Sequence, residues 1–423
     1  MVKEVRLRGC GTAALAAIQG RENNELRRLS GRQGEDAIKP AMQRGSNSIG
    51  VRRYNERLVL STIRRLDGAS KADISKLTGL SPQAAVRIVE SLEESGRLIR
   101  AGRRTGGMGQ PSIIYKVNGG SGCTVGIEIG RDRLTCVLLD FGGAVLARWS
   151  RPVDFPQPSE VIGDIGEFTK LQLASLPAEQ RDGFLGFGIA MPWFIGEWRE
   201  ELGISGEQAS KWGIDHVEDR FRSELEGPVF FENDGNAGAL SELLCGAGLN
   251  LQNFLYVHIG KFVGGGLILG AQLHEGRNGN AAALASMPVP GAKGSDVLLH
   301  RASLYAIEDK LELGLDAPEC RAWLDDCAEA LSFVILGANS LLDLEAVIIG
   351  SALKDGMVDA LMERIGARML ADAPRDFFQP QLLRGSNGDV APARGAGLLP
   401  LFSTYSPNLD SLLKSHDLVS ADQ

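Results

Sequence analysis

The sequence predicts an α/β protein in two parts, an N-terminal winged helix-turn-helix followed by a larger body built on a mixed sheet. Three observations carry that prediction. Residues Ser70 to Gly96 read as two short helices joined by a tight turn, with a glycine that releases the chain into a hairpin. From Cys123 onward, short buried-type strands alternate with helical patterns. The charge divides at the same place. Residues 1–116 hold 22 Lys and Arg against 11 Asp and Glu, and the rest hold 23 against 42, so a head of +11 precedes a body of −19. A basic head on an acidic body suits a polyanionic partner at one end only.

The head is justified element by element. Residues 55–66 form a first helix with Val59, Ile63 and Leu66 on one face. Ser70 is the N-cap of a second helix and Gly79 its stop. Ser81 and Pro82 open a third, where serine caps free amides and proline fits the first helical position. Ala85, Ile88, Val89 and Leu92 then recur at helical spacing toward the core, which turns Gln83, Ala84 and Arg87 outward. Strands at Leu98–Ala101 and Ile113–Val117 flank a basic, glycine-rich wing tip. This outline is that of a module that reads duplex DNA. A recognition helix presents a few side chains to base edges: Gln83 to adenine, Arg87 to guanine and Ala84 to a thymine methyl. Ser81, with Arg103, Arg104 and Gln110 of the wing, completes the candidate DNA contacts by reaching the backbone or a minor groove.

Four segments are expected: a flexible extension at 1–50, the winged helix-turn-helix at 51–118, the body at 122–402 and a tail at 403–423. Gly119 to Gly122 read as a linker. Met42 is a plausible natural start, which would make the first 41 residues an over-long reading of the gene. A chain of 423 residues suits two or three domains. No run of 18 apolar residues exists, so no membrane-spanning helix is expected, and the start lacks the organisation of a cleavable leader. The six cysteines (Cys10, Cys123, Cys136, Cys245, Cys320, Cys327) form no C-x-x-C pair. They read as reduced thiols of a cytoplasmic protein, not as a metal site. The five histidines show no ligand spacing.

In the body, strands are expected at Cys123–Gly130, Leu134–Asp140, Val145–Arg151, Phe184–Ala190, Val229–Glu232, Phe254–Ile259, Leu267–Leu269 and Ala346–Ile349. No fixed-period repeat is visible. Five segments then form a pattern in order: the hairpin Gly126–Asp140, the strand end, polar loop and helix start Phe231–Glu242, the glycine-rich hairpin Ile259–Gly270, and the late runs Asp343–Gly350 and Ala393–Pro400. With the winged head in front, residues 43–400 resemble the ROK family (repressors, open reading frames and sugar kinases), in its transcriptional-regulator branch and without its zinc motif. The resemblance implies a two-lobed, actin-like (ribonuclease H-like) sugar-kinase-type body.

It also implies where this chain departs from a kinase. Kinase members carry D-x-G-G-T in the first hairpin to hold magnesium and nucleotide phosphates, and the corresponding residues here are Glu128, Gly130, Arg131 and Asp132. Arginine fills space that backbone would need, and an added carboxylate repels a polyphosphate. The second phosphate loop reads G-T-G-I-G in the family and Gly260 to Gly264 here, with the bulky Phe262 inside it. Asn233 and Asp234 match the family's N-D pair, whose aspartate is the general base of the kinases. Sugar contact is the favoured reading, and helix capping by Asn236 or Asp234 is the competing one. The run Gly276–Met287 has Ala283 and Ser286 where the family has glutamate and histidine, and no cysteine cluster follows, so zinc is not expected. Trp193 is a candidate for stacking on a sugar, beside the alternative that Trp193, Trp198 and Trp212 pack. Asn280 completes the ligand candidates Asn233, Asp234 and Trp193. No catalytic residue is assigned, although Asp234 matches the base position, and no cofactor is expected.

The resulting expectation is a sugar-responsive DNA-binding regulator, a repressor of carbohydrate-metabolism genes. Its partners would be operator DNA, a sugar or sugar phosphate effector, and further copies of itself in a homodimer or higher oligomer, with no membrane. The alternatives are an active ATP-dependent sugar kinase that carries a DNA-binding domain, and a body that binds a protein.

Overall fold

The head begins with α1 (Ser48–Arg65), α2 (Lys71–Thr78) and α3 (Pro82–Glu94), followed by the antiparallel hairpin β1 (Leu98–Arg104) and β2 (Ser112–Val117). This is a computed structural model, and it describes residues 48–104, 111–153, 155–193, 195, 199–277, 279–291 and 294–405. Arg52–Asn408 form one compact unit.

Local chemistry fixes the head's helices. Ser70 and Asp73 make a reciprocal capping box on α2: Asp73 N–H donates to Ser70 Oγ at 3.2 Å and Ser70 N–H to Asp73 Oδ2 at 3.0 Å. Gly79 ends α2 at φ 71°, a left-handed value that costs glycine nothing. Ser81 Oγ accepts from Ala84 N–H at 3.3 Å with Pro82 at the first turn of α3. Val59, Leu60, Ile63, Ile74, Ala85, Val89, Leu98 and Tyr115 close a small core. Three expectations need correction. The first helix starts at Ser48, so Ser48–Gly50 are helical where a flexible extension was expected. Leu66 falls beyond its end and is 42% exposed. Ile88 is only half-buried, because Ala85, Val89 and Leu92 complete the buried stripe. The rest of the expected extension, residues 1–47, lies outside the described residues.

Gly119–Ser121 is a 3-10 turn, an ordered feature where a linker was expected. Asn118 explains the order. Its Oδ1 accepts from Gly120 N–H at 3.1 Å and its Nδ2 donates to Gly96 O at 2.8 Å, while Arg97 Nη1 donates to Ser121 O at 2.8 Å. The segment that joins head to body is therefore held against Gly96 and Arg97 of the head by specific hydrogen bonds.

The body has two five-stranded sheets. The first comprises β3 (Cys123–Ile129), β4 (Arg133–Asp140), β5 (Val145–Pro152), β6 (Phe184–Ala190) and β7 (Val229–Glu232), in the order β5-β4-β3-β6-β7. The second comprises β8 (Phe254–Ile259), β9 (Val263–Leu269), β10 (Gln272–Leu273), β13 (Ala346–Ser351) and β14 (Gln381–Arg384), in the order β10-β9-β8-β13-β14. A separate hairpin pairs β11 (Pro288–Gly291) with β12 (Gly294–Val297). In each five-stranded sheet the first three strands form an antiparallel meander and the last two add in parallel to its first strand. The lobes thus repeat one topology that no sequence period betrays. Strand β9 begins at Val263, not Leu267, so the last two residues of the expected phosphate loop, Val263 and Gly264, are strand.

The helices complete the layers: α4 (Pro158–Ser175), α5 (Ile214–Glu224), α6 (Asp234–Cys245), α7 (Pro318–Leu342), α8 (Asp355–Asp372) and α9 (Ala391–Tyr405). Helices α4 and α5 cover the first sheet, with Val161, Ile165, Val217 and Phe221 inward. Helices α7 and α8 cover the second, with Leu324, Leu331, Val334, Leu361 and Ile365 inward. Between the sheets, α6 crosses α9 backbone to backbone. A Cβ at Gly395 would lie 1.7 Å from Ala237 O, so only glycine permits the crossing.

Candidate functional site: two adjoining cavities under the helix crossing

The N-terminus of α6 faces two cavities of about 310 and 200 Å³. Helix α6 starts at this place because Asn233 caps it: its Oδ1 accepts from Gly235 N–H at 3.0 Å and Asn236 N–H at 3.4 Å. The cap is therefore Asn233, not Asn236 or Asp234. Asn236 is buried, and its Nδ2 donates to Glu232 Oε1 at 3.0 Å. Asp234 Oδ1 accepts from Gly235 N–H at 2.9 Å, and the carboxylate lines both cavities.

The smaller cavity gathers all four ligand candidates, Trp193, Asn233, Asp234 and Asn280. They come from the end of β6, the end of β7 and the loop after β10, so tertiary structure alone brings them together. Ala283 and Ser286 line the same cavity. Of the other tryptophans, Trp212 is buried and its Nε1–H donates to Pro156 O at 2.8 Å, which is a packing role. Trp198 lies outside the described residues.

The larger cavity carries the titratable groups. Glu128, Asp132, Asp234 and Asp389 line it together with Arg131, Arg133, Lys261, Lys354 and His258. Burial, reinforced by Asp234, Asp132 and Asp389, pushes the Glu128 carboxyl up to about 8. Burial lowers His258, whose Nδ1 lies 3.1 Å from the Tyr256 hydroxyl. Glu232, beneath the α6 cap, is raised to about 6 by burial against the opposing pull of its bonds to Asn236 and Asn233.

Arg131 and Phe262 line both cavities, and they stack: the guanidinium carbon lies 4.4 Å from the ring centroid. Tyr305 holds the ring from another side, edge-on at 5.3 Å. Phe262 is buried. Two of the residues that depart from the kinase pattern, Arg131 and Phe262, thus meet where the two cavities adjoin. His258, Lys354 and Asp389 were not foreseen. His258 lies one residue before the end of β8, two before Gly260 of the glycine-rich turn, and that position was the available signal. Lys354 and Asp389 arrive from segments about 90 and 130 residues downstream.

On the head, Ser81, Gln83 and Arg87 are exposed along one face of α3, and Ala84 is half-buried beside them. Arg103 and Arg104 are exposed on β1. Arg104 Nη1 donates to Asp73 Oδ2 at 3.0 Å, which ties β1 to α2. Gln110 lies outside the described residues. The head meets the body through a clasp that the sequence did not announce. The Arg97 guanidinium lies 4.7 Å from the Phe141 ring and 5.4 Å from the Tyr405 ring, and those rings meet edge-on at 5.0 Å. Arg64 Nη2 donates to Phe141 O at 3.1 Å.

Comparison with known proteins places this geometry. Residues 124–294 match the ROK family model. The xylose repressor of Bacillus subtilis (strain 168) is 25% identical over 371 residues, which covers 82% of this chain and 94% of that protein. The crystal structure of a ROK family transcriptional regulator, a homologue of the E. coli MLC protein, superposes with a TM-score of 0.60 at 19% identity, over 86% of this chain and 99% of that one. A ROK family glucokinase from Streptomyces griseus, solved with glucose and AMPPNP, gives 0.51 at 20% identity, over 66% and 98%. At these identities the structural likeness speaks to the fold, an actin-like sugar-kinase-type architecture. Residues 124–294 of this chain are thus similar to a ROK family domain.

Proposed function

We propose that this protein is a sugar-responsive transcriptional repressor of carbohydrate-metabolism genes, not a kinase. The observation that carries the reading is a DNA-type head clasped to a body whose two cavities adjoin at the Arg131–Phe262 stack. A kinase must bring a sugar hydroxyl and the transferred phosphoryl group into line within bonding reach. A stacked ring and guanidinium where the cavities adjoin oppose that, and so does the carboxylate of Asp132. Xylose repressors and ROK regulators among the relatives support the regulator. Glucokinases among them support the alternative, as does Asp234 at the base position.

In this reading residues 51–118 are a winged helix-turn-helix, and 122–402 are the effector-binding body of a cytoplasmic protein. Helix α3 enters the major groove with Gln83, Ala84 and Arg87 toward base edges, and Ser81, Arg103, Arg104 and Gln110 meet the backbone. Trp193, Asn233, Asp234 and Asn280 bind the effector. The exposed apolar side chains Phe333 (49%) and Leu341 (85%) of α7 and Leu370 (76%) of α8 serve self-association into a dimer. Effector binding at the cap of α6 biases the α6–α9 crossing, and α9 ends in Tyr405 of the clasp. The effector regulates DNA only through a difference in affinity between two such arrangements.

Two measurements on the full chain test this. Gel shifts on fragments upstream of its own gene should show a complex that Arg87→Ala weakens and makes less selective. A coupled ATPase assay over a panel of hexoses should stay at background. Sugar-dependent ADP release at ordinary enzyme rates would establish the kinase instead.

A further inference from the structure

A further cavity, of about 250 Å³, lies where α1 of the head meets the body. Leu243 and Leu244 of α6, Leu249 and Leu251 of the loop behind it and Phe402 of α9 give it an apolar wall. Helix α1 adds Ser61 and Thr62, whose hydroxyls donate back to Leu58 O at 3.0 and 2.7 Å. The charged groups that line it are Arg64 and Arg65, and no carboxylate does. Arg65 is exposed, whereas Arg64 turns toward the body. Arg64 Nη2 donates to Phe141 O at 3.1 Å, and its Nε is shut off from solvent with no acceptor. Among the described residues, neither arginine makes an ion pair. Burial lowers the Arg64 pKa, and Cys245 and Asp140 pull it up without cancelling that effect.

A cation withdrawn from water without a counter-ion is costly, and an anion brought beside it recovers Coulomb energy in a low dielectric. An apolar cavity of roughly 150 Å³ holds benzene, so this one has room for a hydrocarbon body and an acid group together. We infer that the cavity binds a small apolar monocarboxylate, with its hydrocarbon part on the leucines and its carboxylate against Arg64 and Arg65. Aromatic and aliphatic acids share that chemistry. The Tyr405 ring lines the cavity and meets Phe141 of the clasp edge-on, so an occupant bears on the joint between head and body. The cavity shares no lining residue with the two at the start of α6, so the acid does not compete with a sugar bound there.

Titration calorimetry on the full chain compares each acid with its alcohol: benzoate with benzyl alcohol, phenylacetate with phenethyl alcohol, and hexanoate with n-hexanol. At least one acid should bind about tenfold more tightly than its alcohol. The first two pairs identify an aromatic acid and the third an aliphatic one. Leu244→Trp fills the cavity and should abolish binding of that acid. Arg64→Met keeps an apolar stem without the charge and should bring the acid down to the affinity of its alcohol. Melting temperatures show that each variant is folded, and the acid–alcohol comparison on the parent chain stands without either of them. No saturable binding of any acid at millimolar concentration would overturn the inference. So would alcohols that bind as tightly as their acids, or an acid affinity that a folded Leu244→Trp or Arg64→Met leaves unchanged.

Discussion

Asn233 has two jobs that substitution can separate. Its Oδ1 caps α6 through the amides of Gly235 and Asn236, and its side chain lines the smaller cavity. Asn233→Ala removes both roles. Loss of an N-cap costs about 1 kcal/mol. For a body of this size that corresponds to a fall in melting temperature of about 2–4 °C. Asn233→Ser keeps a good capping oxygen but is too short to place an amide donor in the cavity. Its melting temperature should stay within about 1 °C of the parent, because serine and asparagine cap about equally well. Both variants should lose most of the stabilisation that a bound sugar confers, since that term depends only on affinity for the native state. Scanning calorimetry with and without the tightest sugar from the panel measures all of these values. If Asn233→Ser retains the full sugar-induced shift, the amide does not contact the ligand. If Asn233→Ala melts like the parent, the cap contributes nothing.

Further outcomes follow from the same geometry. Glu128 is raised to about 8, whereas an unfolded glutamate titrates near about 4.3. Between those values the native state holds the extra proton, so this group's contribution to stability falls as pH rises through the window. Glu128→Gln should therefore gain melting temperature over the parent between pH 5 and pH 8, and parallel pH profiles would exclude the effect. Tyr405→Ala removes one side of the Arg97 clasp. It should leave sugar affinity within about twofold while weakening the effect of sugar on gel-shift affinity, and full retention of that effect would rule out the clasp as the link. Gly395→Ala forces a methyl group against Ala237 O. Such overpacking costs about 1–3 kcal/mol or more, which denaturant titration would detect as a lowered midpoint. Phe333→Glu with Leu341→Glu places four charges in a symmetric dimer interface. Light scattering should then report a monomer, and an unchanged oligomer would place self-association elsewhere.

Much of the head was legible because local rules governed it. Ser70, Gly79, Ser81 and Pro82 are helix signals whose physics acts within four residues, and they marked the ends of α2 and the start of α3. The start of α1 was missed because its buried apolar stripe, Val59, Leu60 and Ile63, lies well downstream of it and gives no signal at Ser48. The strands Cys123–Ile129 and Ala346–Ser351 were visible as apolar runs, since both of their faces are buried. The short edge strands β10 and β14 were not, because two to four half-exposed residues carry no periodic signal.

By itself, the sequence determined that a basic head precedes an acidic α/β body, that Asn233 and Asp234 stand at a strand end opening a helix, and that Arg131 and Phe262 replace small residues in two separate loops. Only the tertiary structure decided that those two side chains meet 4.4 Å apart where the two cavities adjoin, that Trp193 and Asn280 join Asn233 in one cavity, and that Arg97 locks between Phe141 and Tyr405. The physical reason is range. Caps, turns and strand alternation are set by neighbours along the chain, whereas stacking and cavity walls depend on segments brought together only when the two sheets and the α6–α9 crossing have formed.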